Sequence, residues 1–401
     1  MLTTICTAAA VPVLLACAYL CVLTLLSRRL PVPVYGPPRV RFDLVVPAHD
    51  EEAGVATTIR SLLALDYPPE RRRVIVVADN CTDRTAASAR EAGALAIERH
   101  DPVRAGKGYA LEFAFQRSLA EGFADAIVVV DADTIASPNL LNAFSTLLEA
   151  GAMATQAFYG VRNGADSWRT RLIAIGFSLF HRVRSLGRER LRLSAGLRGN
   201  GMCFRTELLR QVPHDAHSVV EDLEYGIKLG LAGHRVHYAD DAWVLGEMAS
   251  TERASRSQRR RWESGRFQIL KRYGLRLFAS SIRRFDAALL DLAVDVLLPP
   301  LARVATVAGL GLALSGMCSL VEGHVDVSVY PWSVCCFLLC VYVLRGWWLS
   351  ETGLRGLFDL LLAPAYVTWK ATLLFRSAGH PKDAWTRTLR QGELNDSSEL
   401  G

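Results

Sequence analysis

Between Ile5 and Leu26 the chain runs without a single charge, and Ser27-Arg28-Arg29 comes at once after it. No other stretch limits the fold as strongly. A run of this length can cross a bilayer, and backbone inside hydrocarbon must satisfy its own hydrogen bonds, so the segment has to be helical. It lacks a basic region ahead of it and a clear small-residue cleavage site, so an uncleaved anchor is expected rather than a signal peptide. Arg28 and Arg29 assign the chain beyond the anchor to the cytoplasm by the positive-inside rule. The composition is apolar overall, with 51% hydrophobic residues and a mean hydropathy of +0.19, but unevenly so.

The last third repeats the membrane-like character. Val304 to Val321 and Val329 to Trp348 are expected spans, the second ending in Arg345 and an aromatic pair suited to the headgroup zone. Arg283 to Leu298 carries apolar residues at helical spacing, interrupted by Asp286, Asp291 and Asp295, which suits a helix lying in the interface before Pro299-Pro300 breaks it. Leu357 to Phe375 is interrupted by Asp359, Pro364 and Lys370 and reads as interfacial or re-entrant. Two spans already return the chain to the cytoplasm, where a tail containing Arg376, Lys382, Arg387 and Arg390 belongs.

The formal net charge of +6 is modest for this length. It suits anionic headgroups and phosphates and gives no argument for nucleic acid. The nine cysteines contain no pair of Cys-x-x-Cys units, and most lie in apolar stretches, so neither zinc nor a disulfide framework is indicated.

Between anchor and spans the pattern is α/β. Pro31 to Pro38 is a stiff linker. Asp43 to Pro47, Val74 to Ala78 and Ile127 to Val130 are short apolar strands, and helical spacing appears over 53–65, 86–92 and 109–121. Such alternation predicts a parallel sheet. The expected organisation is an anchor over 1–30, a linker over 31–41, an α/β domain over 42–275, an interfacial helix over 276–300, membrane segments over 301–376 and a tail over 377–401.

Each strand runs into polar residues, where open α/β sheets bind ligands. Ile127 to Val130 leads into Asp131-Ala132-Asp133. Two acids one residue apart repel, and a divalent cation on phosphate relieves that; the plain alternative is two solvated acids before the Ser137-Pro138 turn. The first strand ends Pro47-Ala48-His49-Asp50-Glu51-Glu52, whose acids could equally favour the next helix N-terminus. The second ends Asp79-Asn80-Cys81-Thr82-Asp83; Asp79 suits an imide N–H, and Asp83 could cap a helix.

Arg104 to Gly108 sets Lys107 between two glycines before a helix, without the spacing of a P-loop. Gly196, Gly199 and Gly201 mark turns or let a sugar approach backbone. Glu221 and Asp222 open a helix, as a general base or as simple first-turn acids. In Gln258-Arg259-Arg260-Arg261-Trp262, helical spacing puts Gln258, Arg261 and Trp262 on one face. An amide, a guanidinium and an indole suit diphosphate and a sugar ring; the alternative is a basic patch on anionic lipid.

In this order the motifs resemble the inverting glycosyltransferases of family 2, within a nucleotide-diphospho-sugar transferase (GT-A type) fold. The likeness covers about 42–275 and is nearest to the membrane branch of cellulose, chitin, hyaluronan and poly-N-acetylglucosamine synthases. It implies that Asp79 contacts uracil, that Pro47, Ala48, Glu51 and Lys107 line the nucleotide pocket, and that Asp131 and Asp133 hold nucleotide and Mg²⁺ or Mn²⁺. It further implies that Asp222 deprotonates the acceptor, and that Glu221, Gln258, Arg261 and Trp262 bind diphosphate and acceptor. The implied activity moves a hexose or N-acetylhexosamine from a UDP-sugar to a growing cell-surface polysaccharide through a β-linkage, at the inner (plasma) membrane with a cytoplasmic catalytic domain. A single sugar placed on a lipid is the alternative, a silent scaffold a weaker one; a homo-oligomer or export partner is left open.

Overall fold

The computed structural model describes residues 2–248 and 252–364, with residues 2 and 252–263 as backbone alone. These form two compact units, one of 29–164, 192–248 and 252–293, the other of 2–28, 165–191 and 294–364.

The first unit is built on eight strands: β1 (Phe42–Ala48), β2 (Arg72–Asp79), β3 (Leu95–Arg99), β4 (Ala126–Val129), β5 (Thr134–Ala136), β6 (Ala154–Val161), β7 (Met202–Arg205) and β8 (Val236–Gly246). Their order in the sheet is 3-2-1-4-7-6-8-5. The run β3-β2-β1-β4 is parallel, as the alternation predicts. β7 is not, and lies antiparallel to both β4 and β6, which makes the sheet mixed. The cause is local. Gly201 N–H donates to Val129 O at 3.0 Å, so the chain arrives at the carboxyl end of β4 and the next strand can only run back down it.

β1 is buried along its whole length. Leu44 and Val46 pack on one face with Val55, Ile59 and Phe144; Val45 packs on the other with Leu111, Phe115 and Leu229. Helices cover both faces, which is why the strand sequences lack polar alternation. The helices Val55–Leu63, Thr85–Glu91, Lys107–Glu121 and Glu221–Leu231 begin and end within a few residues of expectation. A helix over Glu252–Arg284 also belongs to this unit.

The second unit contains three helices long and apolar enough to cross a membrane, Thr3–Leu25, Leu301–Glu322 and Val329–Leu349. With them pack Trp168–Phe177, a π-helical stretch over Ser178–Val183 and Arg184–Arg190. Small residues carry the close approaches: a Cβ on Gly187 would stand 2.7 Å from Leu23 O, and one on Gly346 would stand 2.3 Å from Leu179 Cδ2. The arginines of this excursion point largely inward. Arg182, Arg184 and Arg188 are buried. Arg184 and Arg188 converge on Asp295 at 3.2 and 2.8 Å, Arg188 also reaches Tyr19, and Arg184 donates to Tyr342 Oη.

The acids that interrupt 283–298 are accounted for in the same way. Asp286 accepts from the N–H groups of Ala288 and Leu289 and so starts the helix Ala287–Leu297, after a break at Phe285 with φ of +51°. Asp291 and Asp295 are buried, so that helix presents no acidic face to a membrane surface. The segment expected over 357–375 starts within the short α-helix Gly353–Asp359 and the 3-10 helix Leu360–Leu362; from 365 onward it lies outside the described residues, as do Arg376, Lys382, Arg387 and Arg390.

Candidate active site

The parallel register aligns the carboxyl ends of three strands. Ala48 stands opposite Ala78 and Val45 opposite Val129, so Pro47-Ala48, Asp79 and Asp131 share one edge of the sheet. Lys107 ties this edge to the rest of the site. Its ammonium donates to Asp131 Oδ1 and to Gly199 O, both at 2.6 Å, and lies 3.6 Å from Glu221. Gly199 is left-handed at φ +79°, and a Cβ there would meet Asp222 Oδ2 at 3.3 Å. The backbone thus passes under the Asp222 carboxylate in a left-handed conformation that favours glycine. Lys107, Asp131, Glu221 and Asp222, drawn from three distant stretches, form one cluster.

Asn200 organises the same cluster from below. It is fully buried, accepts from Asp131 N–H at 3.2 Å and donates to Thr134 Oγ1 at 2.8 Å. Thr134 in turn donates to Asp133 Oδ1 at 3.2 Å. Gln156 Nε2 donates to Asn200 O at 2.7 Å, and Gln156 Oε1 accepts from Arg198 N–H at 2.9 Å. The acid pair is therefore held by a buried amide network, as expected where position matters more than mere charge.

This arrangement sets the electrostatics. Burial would lower the Lys107 ammonium, but Asp131, Glu221 and Asp222 outweigh it and hold the group above its ordinary value. Burial raises Glu221 to about 7, partly opposed by Lys107 and reinforced by Asp222. Burial also raises Asp222, against the Leu223 N–H, Lys107 and Arg198. Tyr159, on β6, is pushed well above 10 by burial and by Asp131 and Asp133. Three acids around one lysine make a negative pocket, with a carboxyl group tuned towards proton transfer.

Asp79 occupies a neighbouring position. It is fully buried and paired with Arg99, and Gly106 N–H approaches its Oδ2 at 3.5 Å. Gly106 and Lys107 are adjacent, so the Arg104 to Gly108 turn bridges Asp79 and Asp131. Pro47 and Ala48 are buried, and Glu51 N–H donates to Thr85 Oγ1 at 2.8 Å. Asp50, Cys81 and Asp83 bring ligand-type atoms within 4.8 Å of one another. Their polar atoms organise the loop itself: Asp50 Oδ1 accepts from Thr82 N–H at 2.6 Å, and Asp83 accepts from the N–H groups of Thr85 and Glu52. Asp83 thus serves the start of the helix Thr85–Glu91.

The side chains of Gln258, Arg261 and Trp262 lie outside the described residues; their backbone is part of the helix Glu252–Arg284. Sequence reasoning missed Gln156, Tyr159, Thr134 and Arg99. Only Asn200 carried a signal, its place between two glycines.

A family model described as "Glycosyltransferase like family 2" matches residues 37–265. The chain is similar to a probable glycosyltransferase, YdaM, of Bacillus subtilis (strain 168), with 26% identity over 259 residues, 61% of this chain and 59% of that one. It is also similar to the beta-monoglucosyldiacylglycerol synthase of Synechocystis sp. (strain ATCC 27184 / PCC 6803 / Kazusa), with 28% identity over 236 residues, 56% of this chain and 47% of that protein. The chain spans about half the length of the curated relatives it matches. Among solved structures, the mannosyltransferase PcManGT from Pyrobaculum calidifontis, in complex with GDP-Man and Mn²⁺, aligns over 86% of this chain and 98% of its own, with a TM-score of 0.50 and 18% identity. That likeness establishes the GT-A-like α/β fold.

Proposed function

The chain belongs to the family described as glycosyltransferase like family 2, and from that premise we propose that it moves one hexose from a UDP-sugar to a hydroxyl of a membrane lipid, with inversion at the anomeric carbon. The reading rests chiefly on Lys107, whose ammonium joins Asp131 to Gly199 O beneath the Asp222 carboxylate. One cation thus connects the end of the site suited to a leaving diphosphate with the end suited to a base. The Synechocystis relative, by name a lipid glucosyltransferase, supports the choice of acceptor.

In the proposed reaction Asp222 accepts the proton of the acceptor hydroxyl as its oxygen attacks the anomeric carbon. The bond from that carbon to the diphosphate breaks on the opposite face, and UDP leaves with the electron pair. Lys107 offsets charge on the diphosphate, and Glu221 keeps the lysine turned into the pocket. Asp131 and Asp133 are the residues that would hold Mg²⁺ or Mn²⁺; Asp131 already pairs with a cation, and the Tyr159 shift reflects the field of both carboxylates. When bound, the metal supplies Lewis-acid stabilisation of the departing diphosphate. Asp79, with Arg99, is proposed to serve the uracil, beside Pro47, Ala48 and the Glu51 loop. Gln258, Arg261 and Trp262 are proposed to serve diphosphate and acceptor.

The test is nucleotide release by the full chain in lipid, over UDP-glucose, UDP-N-acetylglucosamine and GDP-mannose, with mass analysis of the product. Asp222→Asn should lower kcat by about 10²–10⁴-fold while nucleotide still binds. Asp131→Ala should weaken donor and metal binding together. Unchanged release in both variants would sink the assignment. Elongation of a polysaccharide is the second reading, supported by the likeness of the Gln258 to Trp262 segment to the synthases; a ladder of saccharides in place of a single-sugar glycolipid would select it. For either acceptor we propose an inner-membrane location with the catalytic unit on the cytoplasmic side, in keeping with Arg28 and Arg29.

A further inference from the structure

The helix Val55–Leu63 buries Val55, Thr58, Ile59 and Leu62, the spacing of a single core-facing stripe. Three of the four are aliphatic. Thr58 is the exception, and at 1% exposed its hydroxyl has to find partners inside the protein. A threonine hydroxyl within a helix usually turns back to a carbonyl of the preceding turn. This one reaches across to the acid pair instead. Thr58 Oγ1 donates to Ala132 O at 2.8 Å and accepts from Thr134 N–H at 3.1 Å. The Ala132 carbonyl and the Thr134 N–H belong to the two peptide groups on either side of the Asp133 Cα. One oxygen atom therefore grips both, and rotating either peptide about Asp133 would break a bond to it.

The remainder of the turn is held from another direction. Thr134 N–H also donates to Asp131 O at 3.2 Å, which closes the turn over 131–134. Asn200 accepts from Asp131 N–H and donates to Thr134 Oγ1. Asn200 thus fixes the two ends of the turn, and Thr58 its middle. The division matters because carboxylates one residue apart repel, which favours backbone rotations that carry them apart. Lys107 draws Asp131 into the pocket; the peptide groups around Asp133 answer to Thr58. A divalent cation makes the opposite demand, since Mg²⁺ tolerates little departure from octahedral geometry at about 2.0–2.1 Å. We propose that Thr58 is a positioning residue for the metal, its hydroxyl setting the backbone of Asp133 so that both carboxylates reach one divalent cation. The inference rests on the reading of Asp131 and Asp133 as the metal-holding pair. Thr58 acts through the backbone of 132–134, one turn inside a helix whose stripe calls for an aliphatic side chain.

The test titrates Mn²⁺ into the full chain in lipid discs with UDP present, following free Mn²⁺ by electron paramagnetic resonance, so no turnover is needed. Thr58→Val keeps the shape and removes the hydroxyl. It should raise the Kd for Mn²⁺ by about 10-fold or more, the range found when a group that orients a metal ligand is lost, and leave metal-free UDP binding unchanged. Thr58→Ser returns the oxygen and should bind Mn²⁺ as wild type does. Ser61→Ala separates positioning from mere stability. Ser61, on the same helix, accepts from Ala136 N–H at 3.0 Å, so its loss should lower Tm without altering Mn²⁺ affinity. Should Thr58→Val not fold, Thr58→Cys gives the same comparison in milder form, its thiol filling the space with a weaker donor and acceptor. An unchanged Kd in the Thr58 variants, or an equal rise in Ser61→Ala, would overturn the role of Thr58. Asp131→Ala tells the two readings apart: loss of Mn²⁺ there with no change at Thr58 sinks this inference alone, whereas full Mn²⁺ affinity in Asp131→Ala sinks the metal pair and the inference with it.

Discussion

Lys107 is the residue on which the site's charge balance turns. Its ammonium stabilises the ionised forms of both Glu221 and Asp222, which burial disfavours. A base must be ionised to act, so kcat/KM should rise with pH through a limb lying above the ordinary carboxylate range. Replacing Lys107 with Met removes an opposing charge and leaves burial unanswered, so the Asp222 pKa should rise further. The acid limb should then move to higher pH, with activity at neutral pH falling disproportionately; a pH profile of kcat/KM for both proteins checks this. A limb that stays in place would mean that another group governs it. That Lys107 and Asp131 lie by the carboxyl edge of the sheet was legible, because each adjoins a strand or glycine signal; Asp222 carried only a helix start, and its place in the cluster comes with Gly199. Gln156 and Tyr159 were not legible: a glutamine and a tyrosine inside a strand look like any other, and their roles exist only once β6 lies beside β8 and near β7.

At the scale of elements, three glycines distinguish packing from chain freedom. A Cβ on Gly108 would stand 2.3 Å from Ala216 O, so Gly108→Ala must push the helix Lys107–Glu121 away from the 212–220 loop. A cost of about 1–3 kcal/mol is expected, with a lower Tm and a higher donor KM, because Lys107 moves with the helix. Gly187→Ala should likewise destabilise, since Leu23 O blocks it at 2.7 Å. Gly176→Ala meets nothing within 4 Å and sits in a helix, so it should be neutral or stabilise by about 0.5–1 kcal/mol. Thermal unfolding of the three variants in one detergent gives the comparison. The parallel half of the sheet was legible, because buried β-branched runs and intervening helices announce it. The reversal at β7 was not, since four residues after a glycine-rich turn carry no sign of direction. The burial of the arginines at 182–188 was not legible for a related reason, because the acid that answers Arg184 comes 111 residues later.

For the whole molecule, the consequence is that the two units interleave along the chain. The catalytic unit is left after β6 and resumed before β7, and the excursion over 165–191 packs with the span-capable helices. A linear division at 42 and 275 conceals this, since hydropathy marks the spans but not the excursion. Within the unit of the span-capable helices Arg184 and Arg188 depend on Asp295, and removing one partner of a buried ion pair costs about 3–5 kcal/mol. A fragment of residues 29–293 lacks all three span-capable helices and Asp295, yet keeps the excursion with its buried arginines and small-residue contacts unmet. It should therefore sediment with membranes or aggregate unless detergent is present. The exposed Leu275, Phe278 and Ile282 of the Glu252–Arg284 helix would have the same effect, so the deciding sample is the fragment carrying Leu275→Glu and Ile282→Glu. If the excursion is responsible, that sample still needs detergent in analytical ultracentrifugation. If it is monodisperse without detergent and binds nucleotide, the excursion is stable apart from the membrane helices, and its assignment to their unit fails.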